Sequence, residues 1–117
     1  MFAEVEGEKG IITGGSSPGI TDGGAAVVLA GGDAVKARGL SPMARIIGWA
    51  TAGVDPRIMG IGPVPAVRAL LEKTGLAMED FDLVELNEAF APQVLSVLRD
   101  LPIENEGLNA NGGAIGL

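Results

Sequence analysis

Phe81-Asp82-Leu83-Val84-Glu85-Leu86-Asn87-Glu88-Ala89-Phe90 passes from alternating apolar and acidic residues, through a polar pair, into the start of an apolar helical pattern. The alternation over residues 81 to 86 predicts a strand, because successive strand side chains point to opposite faces. Phe90, Val94, Leu95 and Leu98 recur at helical spacing. Pro92 has no N–H to donate, so that helix cannot begin much before Glu88. A strand that runs directly into a helix, with Asn87-Glu88 at the junction, is the building unit of an α/β fold.

Upstream, Pro63 and Pro65 stand at the entrance of the clearest helix in the chain, and Lys73 and Gly75 close it. Its Val64, Val67, Leu70 and Leu71 share one face. Met43 to Ala50 follows Ser41-Pro42 and alternates loosely around Ile46, Ile47 and Trp49, which predicts a further strand before the loop opened by Gly53-Val54-Asp55-Pro56. Asp33 is placed to cap a short helix whose last turn holds Lys36 and Arg38 before Gly39. Ala25 to Leu29 is apolar throughout and too short for a helix, which fits a buried strand. Ile11 and Ile12 begin a short strand ahead of a glycine loop, and Leu108 to Ala114 reads as a final short strand or turn. The order is strand, strand, helix, strand, helix, strand, helix, strand, with no internal repeat. It predicts a mixed or mostly parallel sheet with helices packed on it, joined by right-handed crossovers where the strands are parallel.

A chain of 117 residues is one small domain or a piece of a larger one. Its formal net charge of -7 opposes phosphate backbones and anionic lipid, so neither nucleic acid nor a membrane surface is an expected partner. Cys 0 excludes disulfides, zinc thiolates and thiol nucleophiles; His 0 removes the commonest neutral-pH base and metal ligand. The amino end is acidic, and no apolar run nears the roughly 20 residues that span a bilayer, so a cytoplasmic protein is expected. The acids Glu79, Asp80 and Asp82 read as a solvated face, and no metal is assigned.

Three segments have the composition of ligand contacts. Thr13 to Gly24 is glycine-rich, but no Gly-Lys-Ser/Thr follows and the glycines lead into an apolar run rather than a helix, so it is neither a P-loop nor a dinucleotide fingerprint. By itself it is a turn. Asn87 lies at the carboxyl end of a strand, where open α/β sheets bind ligands and where an amide can hold a water or donate to an oxyanion. As a lone feature it reads first as a helix cap. Asn109-Ala110-Asn111-Gly112-Gly113-Ala114 is by itself a tight turn of small residues.

Taken together and in order, these segments resemble the thiolase family across nearly the whole chain. Thr13 to Ala26 is similar to the family's Thr-Ala-Gly-Asn-Ala-Ser-Gly-Ile-Asn-Asp-Gly-Ala-Ala-Ala stretch. Ile46 to Pro65, which includes Gly48-Trp49-Ala50-Thr51-Ala52-Gly53-Val54-Asp55-Pro56 and Met59-Gly60-Ile61-Gly62-Pro63-Val64-Pro65, is closer still. Leu86 to Ala91 matches Asn-Glu-Ala-Phe-Ala, and Asn111 to Leu117 looks like the start of Asn-Gly-Gly-Ala-Ile-Ala-Leu-Gly-His-Pro.

The resemblance implies an acyl-CoA C-acyltransferase: a cysteine thiolate takes the acyl group from one CoA thioester, then an acetyl-CoA enolate attacks it, or the reverse cleavage occurs. It implies no permanently bound cofactor, with a coenzyme A thioester as substrate. Asn87 corresponds to the Asn that holds an oxyanion-hole water, in concert with a His that in the family follows the Gly-Gly-Ala-Ile segment. Met59, Ala89 and Phe90 correspond to residues lining the acyl and pantetheine pocket, and Gly15 to the pantetheine-contacting loop. Pro18 and Ser16 depart from the family's Ser and Asn on that loop. Residues 1–40 would close the amino-terminal domain, and 41–117 would form a truncated carboxyl-terminal domain. The implied fold is thus a partial thiolase-like α/β fold, without the amino-terminal half and the central sandwiched helices. Lacking Cys and His, the chain is expected to be inactive alone. The alternatives are a subunit completed by another chain supplying both residues, or a non-catalytic acyl-CoA-binding or assembly module. An exposed apolar sheet face is expected to require another chain or self-association.

Overall fold

The computed structural model describes residues 10–103 and 105–116. Among them are three α-helices: α1 (Gly32–Arg38), α2 (Pro63–Thr74) and α3 (Ala91–Asp100). Each follows its local punctuation. Helix α1 ends at Gly39, whose φ of 59° is the left-handed conformation that glycine adopts without Cβ strain. Its N-cap is Gly31 rather than the expected Asp33, which lies inside the first turn and contributes through its charge alone. Helix α2 opens on Pro63 and closes at Gly75, φ 73°, whose N–H donates to Leu71. Helix α3 starts at Ala91, with Phe90 as its N-cap.

The core lies between α2 and α3. Val64, Val97 and Leu101 are buried, and Val67, Leu86 and Ile103 pack around them. The Arg68 guanidinium donates to the Asp100 carbonyl at 3.1 Å, placing positive charge on the carboxyl end of α3, where the helix dipole favours it. A 3-10 segment, Pro56–Ile61, covers α3 from another side. Gly60 makes that approach possible: a Cβ there would lie 3.1 Å from Gln93 Cγ. Asp55 caps the segment by accepting from Arg57 N at 2.9 Å, and it also receives the Arg57 guanidinium. That hydrogen bond holds the Asp55 carboxyl below its ordinary value and raises Arg57 above its own.

The expected mixed sheet does not form among the described residues. No strand appears there, and the one β-bridge pairs Val84 with Leu108 in parallel. The runs at 11–12, 25–29 and 43–50 make no backbone hydrogen bond to another described segment. A strand exists only as part of a ladder, since its N–H and C=O groups need partners on a neighbouring strand. These runs have strand composition but no neighbour to pair with among the described residues. Val27, Val28, Leu29, Met43, Ile46 and Ile47 are consequently exposed, Val28 almost completely at 97%. The chain has a radius of gyration of 17.7 Å, against about 13 Å for a compact domain of similar length.

One of these runs is nevertheless docked. Segment 43–50 lies against α2, where Lys73 Nζ donates to the Trp49 carbonyl at 3.1 Å and sits 4.6 Å from the centre of the Trp49 ring. A Cβ on Gly48 would come within 2.8 Å of Thr74 Cγ2, so glycine permits that approach.

Candidate functional site

The Val84 to Leu108 bridge brings two loops together. Val84 N donates to the Gly107 carbonyl at 2.8 Å, and Asn109 N donates to the Val84 carbonyl at 2.9 Å. Gly107 is held so close that a Cβ would lie 2.9 Å from the Asp82 carbonyl oxygen. One residue further on, the backbone pairing is replaced by a side chain. Asn109 adopts φ 48°, a left-handed conformation that Asn tolerates better than most residues. From there its Oδ1 accepts from Leu86 N at 2.8 Å, and its Nδ2 donates to the Leu86 carbonyl at 2.9 Å. The amide takes the place of the next peptide unit in the ladder, so Leu86 is fully bonded although no strand continues beside it.

The same Nδ2 donates to Glu88 Oε1 at 3.1 Å, and Ile115 N donates to Glu88 Oε2 at 3.0 Å. The Glu88 carboxylate thus joins the Asn87-Glu88 loop to the turn at Gly112 to Gly116. Gly113 packs on it closely enough that any Cβ would overlap the carboxylate. Gly112, φ 101°, closes the intervening turn by donating to the Asn109 carbonyl. Between the two loops lies a cavity of about 170 Å³ lined by Glu85, Leu86, Asn87, Asn109, Gly112, Gly113 and Ala114.

Asn87 lines this cavity and is exposed. It is not a helix cap, because α3 begins four residues later with Phe90 at the N-cap position. Among the described residues its side chain has no hydrogen-bond partner, so its amide is free to serve a group in the cavity. Ala89 and Phe90 continue the same loop and are half-buried. The Phe90 carbonyl accepts from Gln93 N and Val94 N, which fixes the start of α3. Met59 is exposed on the 3-10 segment that packs on α3, the helix that Phe90 opens.

Gly15 lies elsewhere, in a 3-10 turn, Gly14–Ser16, held by Ser16 Oγ accepting from Thr13 N at 2.9 Å and by Ser17 Oγ donating to the Thr13 carbonyl at 2.8 Å. No hydrogen bond among the described residues connects that turn to the Asn87 loop. Four of the five expected site residues therefore fall on the loop that leads into α3 or on the segment packed against that helix, and Gly15 falls apart from them.

Glu88 and Asn109 lie within sequence motifs that by themselves assign neither residue a role. The available signal was local: an Asn two residues before Asn-Gly-Gly is a residue type that enters the left-handed region. Its partner 23 residues away was not visible. Asp80 is exposed together with Glu79 and Asp82, as expected of a solvated face, and in addition accepts from Ala77 N at 2.9 Å, which caps the Met78–Asp80 turn. A second, larger depression of about 620 Å³ lies beyond the bridge, lined by Met78, Glu79, Phe81, Asp82, Val84 and residues of the 102–107 loop. Among the described residues no helix is long and apolar enough to cross a membrane.

Comparison with known proteins identifies the family of the chain. The thiolase C-terminal domain matches residues 40–117. The β-ketoadipyl-CoA thiolase of Pseudomonas putida is 54% identical over 115 residues, covering 97% of this chain and 29% of the relative. The human mitochondrial 3-ketoacyl-CoA thiolase is 53% identical over 110 residues, covering 94% of this chain and 28% of the relative. Among solved structures, the human mitochondrial 3-ketoacyl-CoA thiolase in complex with CoA superposes with a TM-score of 0.90 at 50% identity, over 99% of this chain and 29% of that one. The Bacillus anthracis acetyl-CoA acetyltransferase gives 0.89 at 50% identity, over 92% and 27%. The chain spans less than a third of the length of these relatives. With a domain match over 40–117 and this degree of identity along nearly all its length, the chain belongs to the thiolase family.

Proposed function

We propose that this chain is the carboxyl-side segment of an acetyl-CoA C-acyltransferase that condenses or thiolytically cleaves 3-ketoacyl-CoA, and that it contributes Asn87 to an oxyanion hole. The observation that carries this reading is the free amide of Asn87 on the wall of a cavity between two loops, in a family whose named members act on CoA thioesters. The chemistry needs a donor fixed where negative charge develops on the thioester oxygen, and an Asn amide holding a water meets that need. Met59, Ala89 and Phe90 would line the acyl and pantetheine pocket, with Gly15 on a loop that reaches the pantetheine from the segment before residue 40. Residues 1–40 would then close the amino-terminal domain, which fits a domain match that begins at 40.

The same chemistry requires a thiolate and a base, and this sequence has Cys 0 and His 0. The chain alone is therefore inactive, and turnover requires a polypeptide that supplies both. The unpaired apolar runs at 25–29 and 43–50 support a second reading within the same family, in which another chain pairs with them and completes the site. A cytoplasmic location belongs to the same proposal, and cell fractionation separates it from the mitochondrial location named for some relatives. The deciding experiment mixes the purified chain with a polypeptide carrying the amino-terminal part of a thiolase and a second carrying the His and Cys loops. Acetoacetyl-CoA cleavage only in the mixture supports the reading. Calorimetry that shows acetyl-CoA binding without turnover in any mixture would favour a binding module instead.

A further inference from the structure

Among the described residues the Glu88 carboxylate accepts from two N–H donors: Asn109 Nδ2 at 3.1 Å on one oxygen and Ile115 N at 3.0 Å on the other. An ionised carboxylate is acceptor-only and satisfies both, whereas a glutamine of the same shape brings one acceptor and one donor. Gly113 lies against that carboxylate without room for a Cβ, so the fit on the third side is steric. Both of Glu88's partners bear on Asn87. Asn109 holds the Leu86 peptide immediately before it, and Ile115 belongs to the turn that follows the far wall of the cavity at Gly112, Gly113 and Ala114.

From these contacts we infer that Glu88 is a positioning residue for Asn87. It is a two-acceptor latch that sets the distance between the Asn87 loop and the 112–116 turn, and hence the width of the cavity that Asn87 lines. The inference rests on the proposed role of Asn87, but the latch itself exists independently of any substrate. Glu88 touches no reacting atom in this scheme. It acts through the two loops.

The test uses isotope-labelled full chain, with amide hydrogen exchange and side-chain amide resonances as readouts. Glu88→Gln, which keeps the shape, should release one of the two donors and not both, so that exchange at either Ile115 N–H or Asn109 Nδ2 rises by about tenfold or more. Glu88→Ala should release both. In each variant the Asn87 side-chain amide resonance should move, while protection at Val97 and Leu101 in the core stays at the starting level. Unchanged Ile115 and Asn109 exchange in Glu88→Gln overturns the latch, as does a loss of protection at Val97 and Leu101 equal to that at Ile115, which marks a general stability effect. If Glu88→Ala unfolds the chain, the isosteric Glu88→Gln decides. None of these readouts involves a CoA ester, so failure of acetyl-CoA to bind would remove the acyltransfer reading and leave the latch standing.

Discussion

Asn109 grips both backbone polar groups of Leu86, its N–H and its carbonyl, with the two ends of one side-chain amide, across a separation of 23 residues. A side chain here performs the work of a strand, and it does so at the residue before Asn87. Two properties of Asn are needed together: tolerance of φ 48° and an amide with both donor and acceptor.

Substitutions at 109 separate those properties. Asn109→Gly keeps the backbone conformation and loses the amide, so it should cost about 1–3 kcal/mol for leaving half-buried groups unpaired. Asn109→Asp should cost at least as much, since an oxygen would then face the Leu86 carbonyl and the Glu88 carboxylate. Urea unfolding midpoints at equal m-value measure both.

Gly113→Ala places a methyl group where the Glu88 carboxylate now sits. The expected cost is about 1–3 kcal/mol. In a Glu88→Ala background most of that cost should vanish, and a double-mutant cycle over the two positions reads the coupling directly.

Leu101→Ala removes one of the three buried side chains of the core and should destabilise by about 2–5 kcal/mol. Leu95→Ala, six residues earlier but exposed, should stay within about 0.5 kcal/mol of the parent. Paired denaturation curves test the contrast.

Asn87→Ala distinguishes a cap from a ligand-facing amide. A cap would cost about 1 kcal/mol on removal; with α3 capped at Phe90 the melting temperature should instead hardly change. In a reconstituted acyltransferase the same variant should lower kcat by about 10²–10³ through loss of an oxyanion donor.

Asp55 gives a pH signature. Its carboxyl is held below the ordinary value by the Arg57 side chain, so the unfolded chain binds that proton more readily than the folded one. The contribution is present above the unfolded value and is lost as pH falls through the lower folded value. Carboxyl-carbon NMR should show Asp55 titrating below the ordinary aspartate value, and Asp55→Asn should remove the pH dependence at Arg57 N–H. The pair is exposed, so the effect on global stability should be small.

The helices were legible because their signals are local. Pro63, Gly75 and Gly39 mark ends through backbone restrictions that need no partner. The buried face of α3 was only partly legible: Phe90, Val94, Val97 and Leu101 share a face, while Leu95 falls off it and is exposed. The sequence pattern included Leu95 and passed over Val97, because the packing face is chosen by the neighbouring elements α2 and Ile103. The sheet was not legible in the sense expected, since Val27, Val28, Ile46 and Ile47 state a preference for pairing that only a neighbour can fulfil. Asn87 was identified as a candidate from its place between strand and helix. The Asn109 and Glu88 contacts that hold its loop are long-range and follow from a single left-handed residue.

The docking of Trp49 beneath Lys73 has an optical consequence. Trp49 is the sole tryptophan of the chain, so all indole emission originates at the junction of segment 43–50 and α2. A lysine ammonium over the ring gives that fluorophore an electrostatic surrounding which disappears when the segment lifts away. Intrinsic fluorescence therefore reports the seating of one apolar run against one helix, and any polypeptide that pairs with that run announces itself through the emission maximum without a label.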